Sequence, residues 1–314
     1  MACFLLVASI ACPSLAQNSN ILWYRQPARN WNEALPLGNG RLGAMVFGRT
    51  GEELIQLNEA TLWSGGPVNR DPNPGVARYL PDIREALAAE DYEKAAQLTQ
   101  KIQGLYTEAY QPLGDLLLKQ DLSGEVSAYR RELDITTATT TTRFSVGGVT
   151  YTRELFVSAP DHVIVLRLRA SRKGALSVTL ATRSPHPGTK SALGRDDLSL
   201  NGKAPVHADP NYVRYNAQPV MYGDSTGCRG MRFALRVKVQ GTDGSVSTDT
   251  SGIRIQNATE ATVLLSAATS FIGFDKCPDR EGRDEKGLAE GFLKKALSKG
   301  WESLRQAHVV DYQR

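Results

Sequence analysis

A mainly β fold, built as a sandwich or a barrel, is what this sequence predicts, and three observations predict it. Short strand-like runs recur at roughly eight-to-twelve-residue spacing, each closed by turn residues such as Gly, Asn or Asp. Several of them alternate apolar with polar residues, the period of a strand with one buried face. The alternation of strands with long helices that would build a parallel sheet is not present. A chain of 314 residues is long enough for one large all-β domain or two ordinary ones.

The first strand is expected at Ile21 to Tyr24, followed by a polar, turn-like stretch from Arg25 to Asn30. Two apolar runs, Gly43 to Phe47 and Leu54 to Leu57, flank the turn residues Gly48, Thr50 and Gly51 and read as a β-hairpin. Asn69 to Gly75 is a loop dictated by its prolines and glycine. Asp82 to Gln103 breaks the β rhythm. Asp82 with Glu85 suggests a capping box, Asp91 a second cap, and the apolar spacing two short helices whose Ala-rich face packs on the sheet.

Strand character returns from Tyr106 to Lys119. Arg130 to Ser158 reads as a long ribbon turning at Gly147-Gly148, with its threonine run a solvent-washed strand favoured by β-branching. His162 to Ala170 alternates apolar residues with Arg167 and Arg169 and is expected to be half buried, paired with Leu176 to Thr182 across Lys173-Gly174. Arg183 to Gly230 reads as loops and short edge strands, and four strands follow between Phe233 and Ala267. Asp275 to Asp284 is a polar loop. Glu285 to Val309 carries Leu288, Phe292, Leu297, Trp301 and Leu304 at helical steps, with Gly291 and Gly300 suggesting two helices and a break. So strong an apolar stripe needs a partner surface.

The block from Trp31 to Pro67 carries more specific information. ALPLGNGRLGAMVFG followed by LNEATLWSGGP, with YQPLGDL further on, closely resembles the N-terminal domain of glycoside hydrolase family 95, the α-L-fucosidases. The family has an acidic residue where this chain has Ala60. The resemblance runs from about Ile21 to the last residue, strongest before Leu118 and thinner through residues 185–230. It implies a large two-sheet antiparallel sandwich over 17–274 with a small helical insert, then a helical linker over 275–314. It also implies an inverting enzyme whose acid and water-activating residues sit on an (α/α)6 barrel beyond Arg314. None of those residues is carried onto this chain, and the fucosylated glycan is met through the whole enzyme.

Composition narrows the alternatives. The apolar fraction is 41% and the charged fraction 22%, values of a globular protein. A net charge of +4 without any run of Lys and Arg does not support a nucleic-acid or anionic-membrane partner. MACFLLVASIACPSLA ends in a small-x-small pattern and reads as a signal segment, residues 1–16, too short to span a membrane. Export to the periplasm or the exterior is therefore expected, with lipid anchoring at Cys12 the less favoured variant. Cleavage would leave Cys228 and Cys277, which either form one disulfide or stay as two loop thiols.

The residues worth following are few. Trp63, Tyr110, Gln111 and Glu59 are candidates for a substrate rim or a domain interface; an indole and an amide suit a sugar ring, and they suit interface packing as well. Glu59, Glu108 and Asp115 are the carboxylates near recognisable motifs, and structural roles are expected for each. His162, His186, His207 and His308 are the four histidines, none in a nucleophile-elbow setting; His308 and Tyr312 are expected to close the linker against the sandwich. His207-Ala208-Asp209 lacks further ligands at metal spacing, no calcium loop appears, and no cofactor is expected. Asn257-Ala258-Thr259 is a glycosylation sequon. Two other readings stay open: a stand-alone carbohydrate-binding sandwich, and an inert remnant with an exposed Leu288/Phe292/Trp301 stripe.

Overall fold

The computed structural model describes residues 20–67, 71, 73–103, 108–213, 217–223 and 227–314. The signal segment at 1–16, Cys3, Cys12, Asn69, Arg70, Pro72 and Tyr106 lie outside the described residues. In chain order the elements are β1 (Ile21–Tyr24), β2 (Leu35–Gly38), β3 (Leu42–Val46) and β4 (Glu52–Glu59), then helices α1 (Leu80–Ala88) and α2 (Tyr92–Gln100). Next come β5 (Gly114–Gln120), β6 (Ser127–Asp134), β7 (Thr139–Val146), β8 (Val149–Ser158) and β9 (Val163–Ala170). Then follow β10 (Leu176–Arg183), β11 (Gly188–Gly194), β12 (Asp197–Lys203), and the short β13 (His207–Ala208) and β14 (Val220–Met221). The last are β15 (Arg232–Thr242), β16 (Ser245–Asp249), β17 (Gly252–Ala258), β18 (Glu260–Thr269), α3 (Glu285–Leu297) and α4 (Trp301–Tyr312).

The strands form two large antiparallel sheets, so the fold is mainly β, as expected. One has nine strands in the order β1-β6-β7-β8-β9-β18-β15-β12-β11, the other seven in the order β16-β17-β10-β5-β4-β3-β2. Their inward faces meet in one apolar core that includes Leu57, Leu116, Phe144, Leu166, Leu180, Phe233 and Ile255. The predicted hairpin is β3–β4, with Ala44 opposite Leu57 and Val46 opposite Ile55.

The turn of this hairpin is clasped by the opposite sheet. Gly48 has φ +72°, and a Cβ there would lie 2.7 Å from the Tyr129 hydroxyl. That hydroxyl donates to the Gly48 carbonyl at 2.6 Å. The Arg153 guanidinium donates to the Arg49 and Thr50 carbonyls and to Gln120 Oε1. It lies 3.5 Å from Glu53, whose carboxylate accepts the Gly48 and Leu54 amides. Burial pushes the Glu53 carboxyl up and the Arg153 guanidinium down, and each charge opposes the other's shift.

Several expectations are corrected. Thr140 and Thr142 are buried, not solvent-washed: they share the inward face with Phe144 and line the space around Glu53 and Arg153, where a hydroxyl is tolerated. The ribbon also turns between β6 and β7, after Asp134. β10 does not pair with β9; the chain crosses after β9 into the other sheet, where β10 lies between β5 and β17, and β18 takes the edge of β9. A glycine turn signals reversal but not which sheet receives the next strand. β12 is an interior strand, with β11 as the edge.

Asp91 caps α2, accepting from the Lys94 amide at 3.0 Å, but Asp82 does not cap α1. That helix continues from a 3-10 turn at Val76–Tyr79 with Pro81 in its first turn, so Asp82 is already helical. The helices pack on each other, and their buried Ile83, Ala86 and Ala95 lie outside the sandwich core. The C-terminal stripe is not exposed either. Leu293, Ala296, Trp301 and Leu304 pack on Phe156, Val163, Val165 and Leu264, the outer face of the nine-stranded sheet. Leu288 and Phe292 pack beside Ala234, Ala268 and Ala289. The partner surface that the stripe needs is this chain's own sheet. No helix among the described residues is long and apolar enough to cross a membrane.

Candidate functional site

β4 ends at Glu59, and the turn that follows delivers Trp63 to one end of the sandwich. A single bridge there pairs Trp63 with Tyr110. The Trp63 indole N–H donates to the Ala60 carbonyl at 3.1 Å, and the Tyr110 ring meets it edge-on at 5.4 Å between centroids. The nitrogen is thus occupied while the ring remains 43% exposed.

Beside this ring opens a cleft of about 260 Å3, lined by Trp63, Gly65, Glu108, Phe271, Phe274 and Lys276 among others. Phe274 is 76% exposed. Gly65 has φ +77°, and a Cβ on it would sit 1.9 Å from the Glu108 carboxyl carbon, so the backbone here must be glycine for the carboxylate to lie against it. Glu108 accepts from Ser64 Oγ at 2.8 Å and from the Arg229 guanidinium at 3.1 Å. A disulfide joins Cys228 to Cys277, with Cα atoms 4.6 Å apart, and so ties the Arg229 segment to the loop that bears Phe274 and Lys276. Three aromatic rings, one carboxylate and one ammonium around a small open cleft suit contact with a sugar ring or with an apolar protein surface.

The other sequence candidates lie elsewhere. Glu59 is buried, and its carboxylate accepts the Thr61 amide and hydroxyl at 2.7 and 2.6 Å and faces Arg41 at 3.4 Å. Tyr110 donates its hydroxyl to the Glu59 carbonyl at 3.2 Å, and burial raises its pKa. The Gln111 amide donates to the Ala109 carbonyl at 3.1 Å. Of the four, only Trp63 lines the cleft. Phe274 and Lys276 were missed; GFDKC carries an aromatic beside a glycine and a cysteine, but nothing in the sequence joins it to Trp63.

Two carboxyl pairs each share a cleft among the described residues, Glu132 with Glu154 and Asp243 with Glu260, and the first two are held by Arg130 and Arg169. Glycoside hydrolysis needs one group of a pair held as a neutral acid. Asp115 is bound by Arg183. Asp243 and Glu260 share a groove near α4, but hydrogen bonds from Thr259 and from the Glu260 amide hold Asp243 down at about 2, and Arg167 binds Glu260 through two nitrogens. The histidines serve structure. His186 meets the Tyr222 hydroxyl and the Pro112 carbonyl, His207 meets Asp209, and His308 stacks on Phe156 and bonds the Thr137 carbonyl at 2.9 Å. Burial lowers the pKa of His162, His186 and His308. Among the described residues no group of three metal-ligating side chains occurs.

The chain is similar to known proteins across this architecture. It is 30% identical over 301 residues to α-L-fucosidase 2 of Arabidopsis thaliana, covering 93% of this chain and 35% of that protein. It is 28% identical over 326 residues to probable α-fucosidase A of Aspergillus niger, covering 98% of this chain and 38% of that one. The chain therefore spans little more than a third of these relatives. A solved structure described as a kojibiose phosphorylase from the human microbiome superposes with a TM-score of 0.54 at 8% identity, over 93% of this chain and 37% of that one, a likeness of fold alone. The model of the glycosyl hydrolase family 65 N-terminal domain matches residues 22–273, and the chain belongs to that family.

Proposed function

We propose that this chain is the non-catalytic N-terminal domain of an exported family 95 α-L-fucosidase, supporting an (α/α)6 barrel that hydrolyses terminal α-L-fucosides with inversion. The carrying observation is that the fucosidase relatives match nearly the whole chain while the chain covers 35% and 38% of them. In this reading residues 17–274 form the supporting sandwich, and 275–314 the linker, held on the sandwich by Trp301 and Leu304. The Trp63–Phe274 cleft is the surface that meets the barrel or the glycan at its mouth. The Cys228–Cys277 disulfide supports export, since such bonds persist in oxidising compartments.

The two exposed rings of the cleft also favour a second reading, a stand-alone carbohydrate-binding module. Calorimetric titration of the chain with 2′-fucosyl-lactose separates the two. The support-domain reading predicts a flat titration, because the barrel supplies most of the sugar contacts. Saturable binding that weakens in Trp63→Ala would replace it with the binding-module reading.

A further inference from the structure

Two loops beside the Trp63 cleft are joined covalently. Cys228 and Cys277, both half-buried, form the bond; Met231 lines the cleft from one side of it, Phe274 and Lys276 from the other. Each loop also has anchors that involve no sulfur. The Gly230 amide donates to the Gly65 carbonyl at 2.6 Å, and the Ala204 amide to the Met231 carbonyl at 2.8 Å. On the other loop the Arg232 guanidinium donates to the Pro278 carbonyl at 3.1 Å, Lys203 pairs with Asp279 at 2.8 Å, and the Arg283 amide donates to the Ser270 carbonyl at 3.0 Å. Just before Cys277 the chain is held far less. From Ile272 to Lys276 the one hydrogen bond among the described residues, Lys276 amide to Gly273 carbonyl at 3.3 Å, stays inside the loop.

The exposed Arg280 guanidinium reaches the Cys277 sulfur at 3.9 Å. A cation beside a sulfur stabilises its thiolate, which makes Cys277 the better leaving group of the two. The Glu281 carboxylate works against this, but it is engaged by the Cys277 amide at 2.7 Å. We propose that the Cys228–Cys277 bond is a thiol-sensitive clasp on the Trp63 cleft: a dithiol reductant opens it and frees the Phe274–Lys276 loop while the sandwich stays folded.

In the opening step a reductant thiolate bonds to the Cys228 sulfur, the S–S bond breaks, and Cys277 leaves with the electron pair beside Arg280. The reductant's second thiolate then attacks its own mixed-disulfide sulfur and releases the Cys228 thiolate. The two protons of the dithiol end on the two cysteines, and the dithiol is oxidised to a cyclic disulfide. The anchors beyond each cysteine survive this exchange, so what opens is local. The clasp acts on the cleft whether its occupant is another domain or a glycan, so its failure would leave the supporting role untouched.

The test is limited trypsin digestion of the whole chain, oxidised or reduced with dithiothreitol without denaturant and then alkylated, with the cut sites read by mass spectrometry. A protease must draw an extended segment into its active site, and a cystine directly after Lys276 resists that. Reduction should speed the cut after Lys276 about tenfold or more, and leave the cut after Lys173, in the exposed turn before β10, unchanged. The double variant Cys228→Ser with Cys277→Ser should be cut like the reduced parent. Arg280→Gln should slow reduction by dithiothreitol about threefold to tenfold, and Arg280→Lys, which keeps the charge, should restore most of the rate. The proposal is overturned if dithiothreitol leaves the bond intact in the folded chain, if Lys276 is cut equally in both states, or if cutting after Lys173 rises as well. It is equally overturned if the double variant resists like the oxidised parent, or if Arg280→Gln is reduced as fast as the parent.

Discussion

The outward face of the nine-stranded sheet has two halves made by the same strands. Along β8 the outward residues run Thr150, Thr152, Glu154 and then Phe156; along β9 they run Val163, Val165 and then Arg167 and Arg169. The apolar half lies under α3 and α4, and the polar half is open. Arg167 is the seam: it holds Glu260 through two hydrogen bonds, approaches Glu302 at 3.5 Å, and lies 5.1 Å from the centre of the Trp301 ring. The difference teaches that the C-terminal helices belong to the sandwich as a fitted cover, because the outward faces of β8 and β9 are apolar only where they lie.

Substitutions on the two halves should therefore differ sharply. Trp301→Ala removes the buried indole that joins α4 to Phe156 and should cost about 3–5 kcal/mol in urea unfolding. A loss below about 1 kcal/mol would mean that the helices are not a fitted cover. At the cleft end, Cys228→Ser with Cys277→Ser should cost about 2–4 kcal/mol under oxidising conditions and nothing in reductant. Equal stability of the two proteins without reductant would show that the bond does not tie those loops.

A smaller effect comes from pH. Burial keeps His308, in the covered half, below its ordinary pKa, so the unfolded chain takes up this proton first. The stability it confers is complete above about pH 6.5 and is lost as pH falls through that value toward the lower folded pKa. His308→Gln should flatten the melting-temperature slope between about pH 5 and 7, with His186 and His162 keeping part of it. An unchanged slope would remove His308 from the account. Smallest of all, Arg143→Ala on the open half should shift stability by no more than about 0.5 kcal/mol. A larger loss would mean that Arg143 makes a stabilising contact within the fold.

The sheet architecture was legible because alternation and turn residues are local signals; the β3–β4 hairpin and the last strands follow from them directly. Where one local signal serves two structures, the sequence leaves the outcome to tertiary packing. Lys173-Gly174 marks a turn whether the chain pairs back or crosses to the other sheet. The threonines of β7 are β-branched in water or in a core, and only Glu53 and Arg153, brought from two other strands, explain their burial. HVIVLRLRA has the alternation of a half-buried strand, yet its first half is buried on both faces because helices over a hundred residues later cover it. The site was less legible than the fold. Glu59 and Trp63 are neighbours in sequence, but the turn between them buries one and exposes the other. Phe274 reaches the same cleft from the far end of the chain.

The measurement that bears most directly on the central claim is release of L-fucose from 2′-fucosyl-lactose by the purified chain, followed over long incubation at high protein concentration. A supporting domain without a facing acid and base releases none above the buffer control. Catalytic release that scales with protein concentration would mean that the groups that break the glycosidic bond lie within these residues.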